Sequence, residues 1–136
     1  MIKNASLGKE IVVTVVNKIG ILADMAKLIA EHGINIEAVA GYAEVGNTAK
    51  IMLITDDFLR VTDALKKAGY KSLKESGAII VELENKTGAL KFLTAKLAAE
   101  EIDIKQIYGT TCSGSCPAKI ILSTSDKEKA LVARKK

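Results

Sequence analysis

Two turns in the sequence carry the same polar and conformationally special residues in the same order. They are Asn17-Lys18-Ile19-Gly20-Ile21-Leu22 and Asn85-Lys86-Thr87-Gly88-Ala89-Leu90. Each follows an apolar, β-branched run and leads into a stretch with helical spacing. Gly20 and Gly88 admit backbone conformations closed to other residues and let the main chain come close to a ligand. The amides of Ile21 and Leu22, and of Ala89 and Leu90, are expected to be first-turn N–H groups without intrahelical partners. Such groups suit an anion, a carboxylate included. The side-chain amides of Asn17 and Asn85 can accept from an ammonium while donating to a carboxylate. An amino-acid zwitterion needs that combination. Asn and Gly are also common turn residues, so by themselves the two turns read first as loop chemistry.

Other reactive side chains are few. His32 is the only histidine, and it closes a helix, where its charge would suit the helix dipole. It has no nucleophile at a recognisable motif to make a triad. No Walker loop, zinc-binding histidine pair or dinucleotide-binding glycine pattern occurs. The expectation is a protein that is not an enzyme and uses no cofactor. Cys112 and Cys116 flank a tight turn. Reduced thiols are the favoured reading for a cytosolic protein, with a reversible disulfide and a zinc site completed by a dimer as alternatives.

The elements that must position these turns come from a duplication. At an offset of 85 − 17 = 68 residues, Asn17 falls on Asn85, Gly20 on Gly88, Leu22 on Leu90, Ile34 on Ile102 and Ile36 on Ile104. Positions 11 to 36 hold nine identities in twenty-six without a gap. Internal repetition of this kind constrains the whole fold. The first copy reads as strand 10–16, helix 20–32, strand 34–43, a hairpin turn at 45–47 and strand 49–55. A second helix opens at Asp56-Asp57, turning Phe58, Val61, Leu65 and Ala68 inward, and Gly69 closes it. A short strand at 70–74 ends the copy.

The second copy reads as strand 78–84, helix 88–100, strand 102–111 and strand 119–124. A last helix is expected from a capping box at Ser125 and Glu128. The fold class is therefore α+β: two βαββαβ ferredoxin-like units, each an antiparallel sheet with its helices on one face. The expected division is 1–75 and 76–136, the second unit being truncated after its second helix and lacking its last strand. That leaves a short sheet edge for residues 1 to 8, or a second chain, to fill.

Composition narrows the partners. A 49% hydrophobic fraction in 136 residues can fill a core, and 26% charged residues suit a soluble surface. The apolar runs are too short to span a bilayer and the first residues hold no long apolar block, so a cytoplasmic protein without a membrane partner is expected. Net charge is +4, with the basic surplus gathered in Arg134-Lys135-Lys136, read as a solvated tail. RNA recognition motifs share the βαββαβ order but stack bases on aromatic side chains. The third strands, Ala49-Lys50-Ile51-Met52-Leu53-Ile54 and Lys119-Ile120-Ile121-Leu122, hold no aromatic residue. No nucleic-acid partner is expected.

The first turn, its helix, and then His32-Gly33-Ile34-Asn35-Ile36 closely resemble the ACT domain, a regulatory module attached to many enzymes of amino-acid metabolism. Residues 85 to 104 resemble it again, with Glu101-Ile102-Asp103-Ile104 as the matching close. The resemblance runs from about Ile11 to Thr124 and implies a stand-alone tandem ACT protein. It implies an amino acid bound where the first loop of one domain faces the second strand of its partner. Carried over by position, the ligand-binding residues are Asn17, Gly20, Ile21 and Leu22 with Asn35, and Asn85, Gly88, Ala89 and Leu90 with Asp103. Asp103 would hold an ammonium but repel a carboxylate, so the site using Asn35 is ranked first. The implied function is non-catalytic, effector-binding regulation by a homo-oligomer, expected to be a dimer. The alternative is a regulatory subunit or interaction module that associates with a separate amino-acid-metabolism enzyme without an effector of its own.

Overall fold

The β-branched run that precedes the first turn is the second half of a much longer strand. In this computed structural model, which describes residues 1–111 and 115–124, β1 spans Ile2–Val16 and leads into α1 (Ile21–Glu31). The hairpin β2 (Ile36–Ala43) and β3 (Thr48–Thr55) follows, then α2 (Phe58–Lys67) and a second long strand, β4 (Ser72–Leu83). After these come α3 (Ala89–Ala99), β5 (Ile104–Thr110) and β6 (Ala118–Thr124). The helix expected from Ser125 lies outside the described residues.

The chain divides into two compact units, Lys9–Ser76 and Met1–Gly8 with Gly77–Lys136. In the Lys9–Ser76 unit, β3 pairs antiparallel with both β1 and β2, and β2 is an edge. The period-2 alternation of a strand sends Ile11, Val13 and Val15 of β1 to the same side as Ala49, Ile51 and Leu53 of β3. Met25 and Ile29 of α1, with Val61 and Leu65 of α2, close over that side and complete the core. Both helices thus occupy one face, as expected for this fold class. Ala64 rather than Ala68 completes the buried stripe of α2, and Ala68 is exposed.

Local chemistry sets the helix limits. The Asp57 carboxylate accepts from the Arg60 amide at 3.1 Å and caps α2. The Arg60 guanidinium donates to the His32 carbonyl, joining the start of α2 to the end of α1. Three helices end in one motif, with paired backbone bonds closing the last turn. In α1 these run from Ile34 N–H to the Ile29 carbonyl and from Gly33 N–H to Ala30. In α2 they run from Tyr70 to Leu65 and from Gly69 to Lys66. In α3 they run from Ile102 to Leu97 and from Glu101 to Ala98.

The motif puts its penultimate residue in the left-handed region. Gly33 (φ 68°) and Gly69 (φ 100°) take it without a Cβ penalty, whereas α3 has Glu101 there at φ 56°. Glu101→Gly is expected to raise stability by about 1 kcal/mol, the usual cost of a side chain in this conformation. A denaturation midpoint that is unchanged or lower would contradict it.

The second compact unit is made of two stretches of chain. Residues 1–8 belong with Gly77–Lys136, and β4 runs unbroken through the positions expected to hold a short strand, a break and a new strand. The first part of β1 lies beside β4, with Glu84 N–H donating to the Met1 carbonyl at 2.8 Å. Ala5 is buried among Ile79, Val81, Leu83, Leu93, Leu97 and Leu122, and Met1 and Ile2 pack against that cluster. The sheet position left short in the second copy is thus supplied by the chain's own first residues.

Beyond β4 the order continues through β6 to β5, both pairs antiparallel, so β5 is the edge that corresponds to β2. The Glu84 carboxylate lies 3.1 Å from the Met1 amino group and 3.3 Å from Lys86 Nζ. Hydrogen bonds from these two groups hold its carboxyl below the usual carboxylate range.

Candidate functional site

The two repeated turns have the same backbone. Lys18 C=O accepts from Ile21 N–H at 3.2 Å, and Lys86 C=O from Ala89 N–H at 3.2 Å. Gly20 has φ 88° and ψ −1°, and Gly88 has φ 88° and ψ −3°. These are type II turns, whose third position needs a positive φ, and each opens directly into its helix. The turn therefore uses the Ile21 and Ala89 amides that the sequence suggests as anion donors. Leu22 and Leu90 follow as first-turn amides, and Asp24 N–H returns to the Gly20 carbonyl at 2.9 Å.

In the Lys9–Ser76 unit the turn borders a groove of about 380 Å³. Asn17, Ile21 and Leu22 form one wall, and Val39, Gly41 and Ala43 of β2, with Ala49 and Ile51 of β3, line the rest. Pairing of Val39 with Leu53, Gly41 with Ile51 and Ala43 with Ala49 puts these β2 residues on the helix side of the sheet. The Asn17 amide N–H donates to the Asn47 carbonyl at 2.8 Å, tying the turn to the β2–β3 hairpin. Leu22, Val39 and Tyr42 are each about half exposed at this groove.

Gly20 shapes the turn, while Asn17, Ile21 and Leu22 touch the groove. Asn35 does not join them in the same unit. Val16 pairs with Thr48 at one end of β3, and Ile36 pairs with Thr55 at the other. Seven residues of strand separate the two ends, about 23 Å. Asn35 sits at the far end, where its N–H donates to Asp56 Oδ1 at 3.0 Å and its carbonyl accepts from the Asp56 amide at 3.1 Å. Asp103 holds the matching exposed position before β5.

The second turn has different surroundings. Lys86 is paired with Glu84, so it is committed to the strand end. Ala89 is buried in the core and Leu90 is half exposed. Gly88 borders a mainly apolar hollow of about 510 Å³ with Met1, Phe92, Ala95 and Ala99. Asn85 stands at the head of this turn, directly after the β4 end.

The sequence reading missed the β2 wall. Its signal lies in Ala38-Val39-Ala40-Gly41-Tyr42-Ala43, where small residues predominate and leave room beside the helix start. Cys116 is disulfide-bonded, in place of the reduced thiol favoured from sequence, and Cys112 lies outside the described residues. No group of three His, Cys, Asp or Glu side chains among the described residues is placed to hold a metal. No helix among them is long and apolar enough to cross a membrane.

The ACT domain family model matches residues 9–69, nearly the span of the first compact unit. No curated protein matches the chain. Among solved structures, protein BT0572 from Bacteroides thetaiotaomicron superimposes with a TM-score of 0.87 at 23% identity, over 98% of this chain and 90% of that one. The ligand-free regulatory subunit of aspartate kinase from Thermus thermophilus gives 0.67 at 14% identity, over 97% and 95%. A structure of aspartokinase alpha and beta subunits gives 0.66 at 16%, over 98% and 96%. At these identities the likeness establishes the fold. Residues 9–69 thus match the ACT domain model, and the chain as a whole shares its fold with these structures.

Proposed function

We propose that this protein is a non-catalytic, cytoplasmic regulatory protein that binds an amino acid in the groove beside Asn17. The observation that carries the reading is the convergence of Asn17, Ile21 and Leu22 with the small-residue face of β2 on one groove of about 380 Å³. That volume is within the range of small-molecule pockets. In this reading the ligand carboxylate meets the first-turn amide of Leu22, its ammonium meets the Asn17 side-chain carbonyl, and its side chain lies against Val39 and Ile51. Asn35 reaches such a ligand only from a second copy of the domain, so the effector bridges two chains of a homodimer. Binding is then coupled to association, and that coupling is the regulatory signal.

Two structural neighbours named as aspartate kinase assemblies support a regulatory role, with a separate enzyme of amino-acid metabolism as the recipient. The corresponding site at Asn85, Gly88, Ala89, Leu90 and Asp103 ranks second, because Lys86 is already paired and Asp103 opposes a carboxylate. If the chain serves as an interaction module instead, it binds the enzyme and no amino acid.

Thermal-shift measurement with each of the twenty amino acids separates these readings. One or a few are expected to raise the melting temperature, as about 2.7 kcal/mol of stabilisation accompanies ligand at a hundred times its dissociation constant. Asn17→Ala and Gly41→Ala should reduce the ligand-induced shift, the first by removing a polar contact and the second by adding a methyl to the groove. No shift with any amino acid, or a full shift in both variants, would remove the effector reading.

A further inference from the structure

A second cleft of the Lys9–Ser76 unit lies between the start of α1 and the segment that links α2 to β4. It comprises two adjoining hollows, of about 490 and 390 Å³, which share Lys18, Ile21, Gly69 and Tyr70 as walls. Lys71 and Ser72 border the first hollow, and Asp24 and Leu28 border the second. None of these wall residues other than Ile21 belongs to the groove beside Asn17.

We propose that this cleft, with Lys18 and Lys71 supplying ammonium groups and Asp24 a carboxylate around the Tyr70 hydroxyl, is a separate binding site for an amino acid bearing two carboxylates. Lys18, Asp24 and Lys71 form no ion pair with one another or with any other described residue. Two cations and one anion thus border one concave surface, the complement of a ligand with two carboxylates and one ammonium. Each lysine takes one carboxylate, and Asp24 takes the ammonium. Ile21 and Leu28 cover the short aliphatic stem.

Tyr70 is held in place for this role. It is the residue that closes the end of α2, its amide donating to the Leu65 carbonyl at 3.0 Å, and its ring packs against the core. Burial, and then the negative charge of Asp24, raise the phenol above its ordinary value of 10.0. At neutral pH Tyr70 is therefore a neutral hydroxyl, able to donate to a ligand carboxylate while accepting from an ammonium. Gly69, at φ 100°, turns the chain so that Tyr70 and Lys71 face the start of α1 from the opposite wall.

Titration calorimetry of the full chain with L-aspartate, L-glutamate, L-asparagine and succinate tests the site. Aspartate or glutamate is expected to bind at least about tenfold more tightly than asparagine, which lacks one carboxylate, and than succinate, which lacks the ammonium. Asp24→Asn and Lys71→Ala should each weaken binding of the dicarboxylic amino acid by about tenfold or more. Both are surface changes, and circular dichroism verifies that the variants are folded. Asn17→Ala should leave this binding unchanged, whatever it does at the other groove. Failure of both dicarboxylic amino acids to bind at millimolar concentration would overturn the proposal. So would binding lost in Asn17→Ala but kept in Asp24→Asn, which would put the ligand in the groove.

Discussion

Deletion of Met1–Gly8 is expected to destabilise the unit formed with Gly77–Lys136 by on the order of 3 kcal/mol, from lost burial of Ala5, Met1 and Ile2 alone. The backbone adds to this. The deleted segment lies beside β4, and its removal leaves that flank of the sheet without a partner. An unpaired edge of a hydrophobic strand invites association between chains, so the variant should also aggregate more readily. Hydrogen exchange checks the location of the effect. Residues 78–83 and 93–97 should exchange faster, because they share a core with Ala5. Residues 49–54, in the core of the other unit, should stay protected. Equal protection of 78–83 in both proteins would show that the first eight residues contribute no structure to that unit.

Gly109→Ala is expected to cost on the order of 2 kcal/mol through overpacking, whereas Gly41→Ala should cost less than about 1 kcal/mol. The two glycines hold the same place in the edge strands, Gly41 opposite Ile51 and Gly109 opposite Ile120. At Gly109 a new Cβ would lie 2.5 Å from Ile120 Cδ1 and 2.7 Å from the Lys119 carbonyl oxygen. The second contact is with backbone, so β5 must shift away from β6 to admit the methyl. At Gly41 the nearest atom is the Lys50 carbonyl oxygen at 3.3 Å, which needs only a few tenths of an ångström of adjustment. Chemical denaturation of both variants measures the difference. A cost that is equal in the two would mean that the edge strands are not gripped differently. The contrast also makes Gly41→Ala a usable probe of the groove, since it changes the wall without unfolding it.

Much of this architecture was legible in residues 11–55, where the pattern is strong. The β-branched run before Asn17, the helical spacing after Gly20 and the Val45-Gly46-Asn47 hairpin all correspond to observed elements within a few positions. The duplicated turns were legible too, down to the positive φ of Gly20 and Gly88. The long strands were not. Ile2–Gly8 offers only Ile2, Ala5 and Leu7 as apolar residues, and 72–77 holds Ser72, Lys74, Glu75 and Ser76, a composition that reads as surface loop. Their strand character comes from the long-range pairing of β1 with β4, and sequence periodicity carries no record of a distant partner.

The candidate site shows the same limit. Asn17, Ile21 and Leu22 could be named because they sit in one turn. Whether Asn35 stands near them depends on strand length and direction, and β3 puts about 23 Å between the two ends. The Ile21 amide looked available as a helix-start donor, but the positive φ of Gly20 folds it back onto Lys18. Gly41 and its small neighbours became recognisable as a wall only once the β2–β3 register set them on the helix side.

Ordering the chain by time of synthesis gives the crossed first strand a further meaning. Residues 1–8 leave the ribosome well before the partners they pack against, since their neighbours in β4 and their core partners in α3 and β6 are made some seventy or more residues later. Residues 9–76 can condense while that early segment waits, exposed, for the second half to emerge. Closure of so long a loop is slow compared with local pairing. The interval is a window for chaperones, or for the same segment of a neighbouring nascent chain to take the vacant place beside β4. A domain-swapped pair is therefore the characteristic misassembly of this topology.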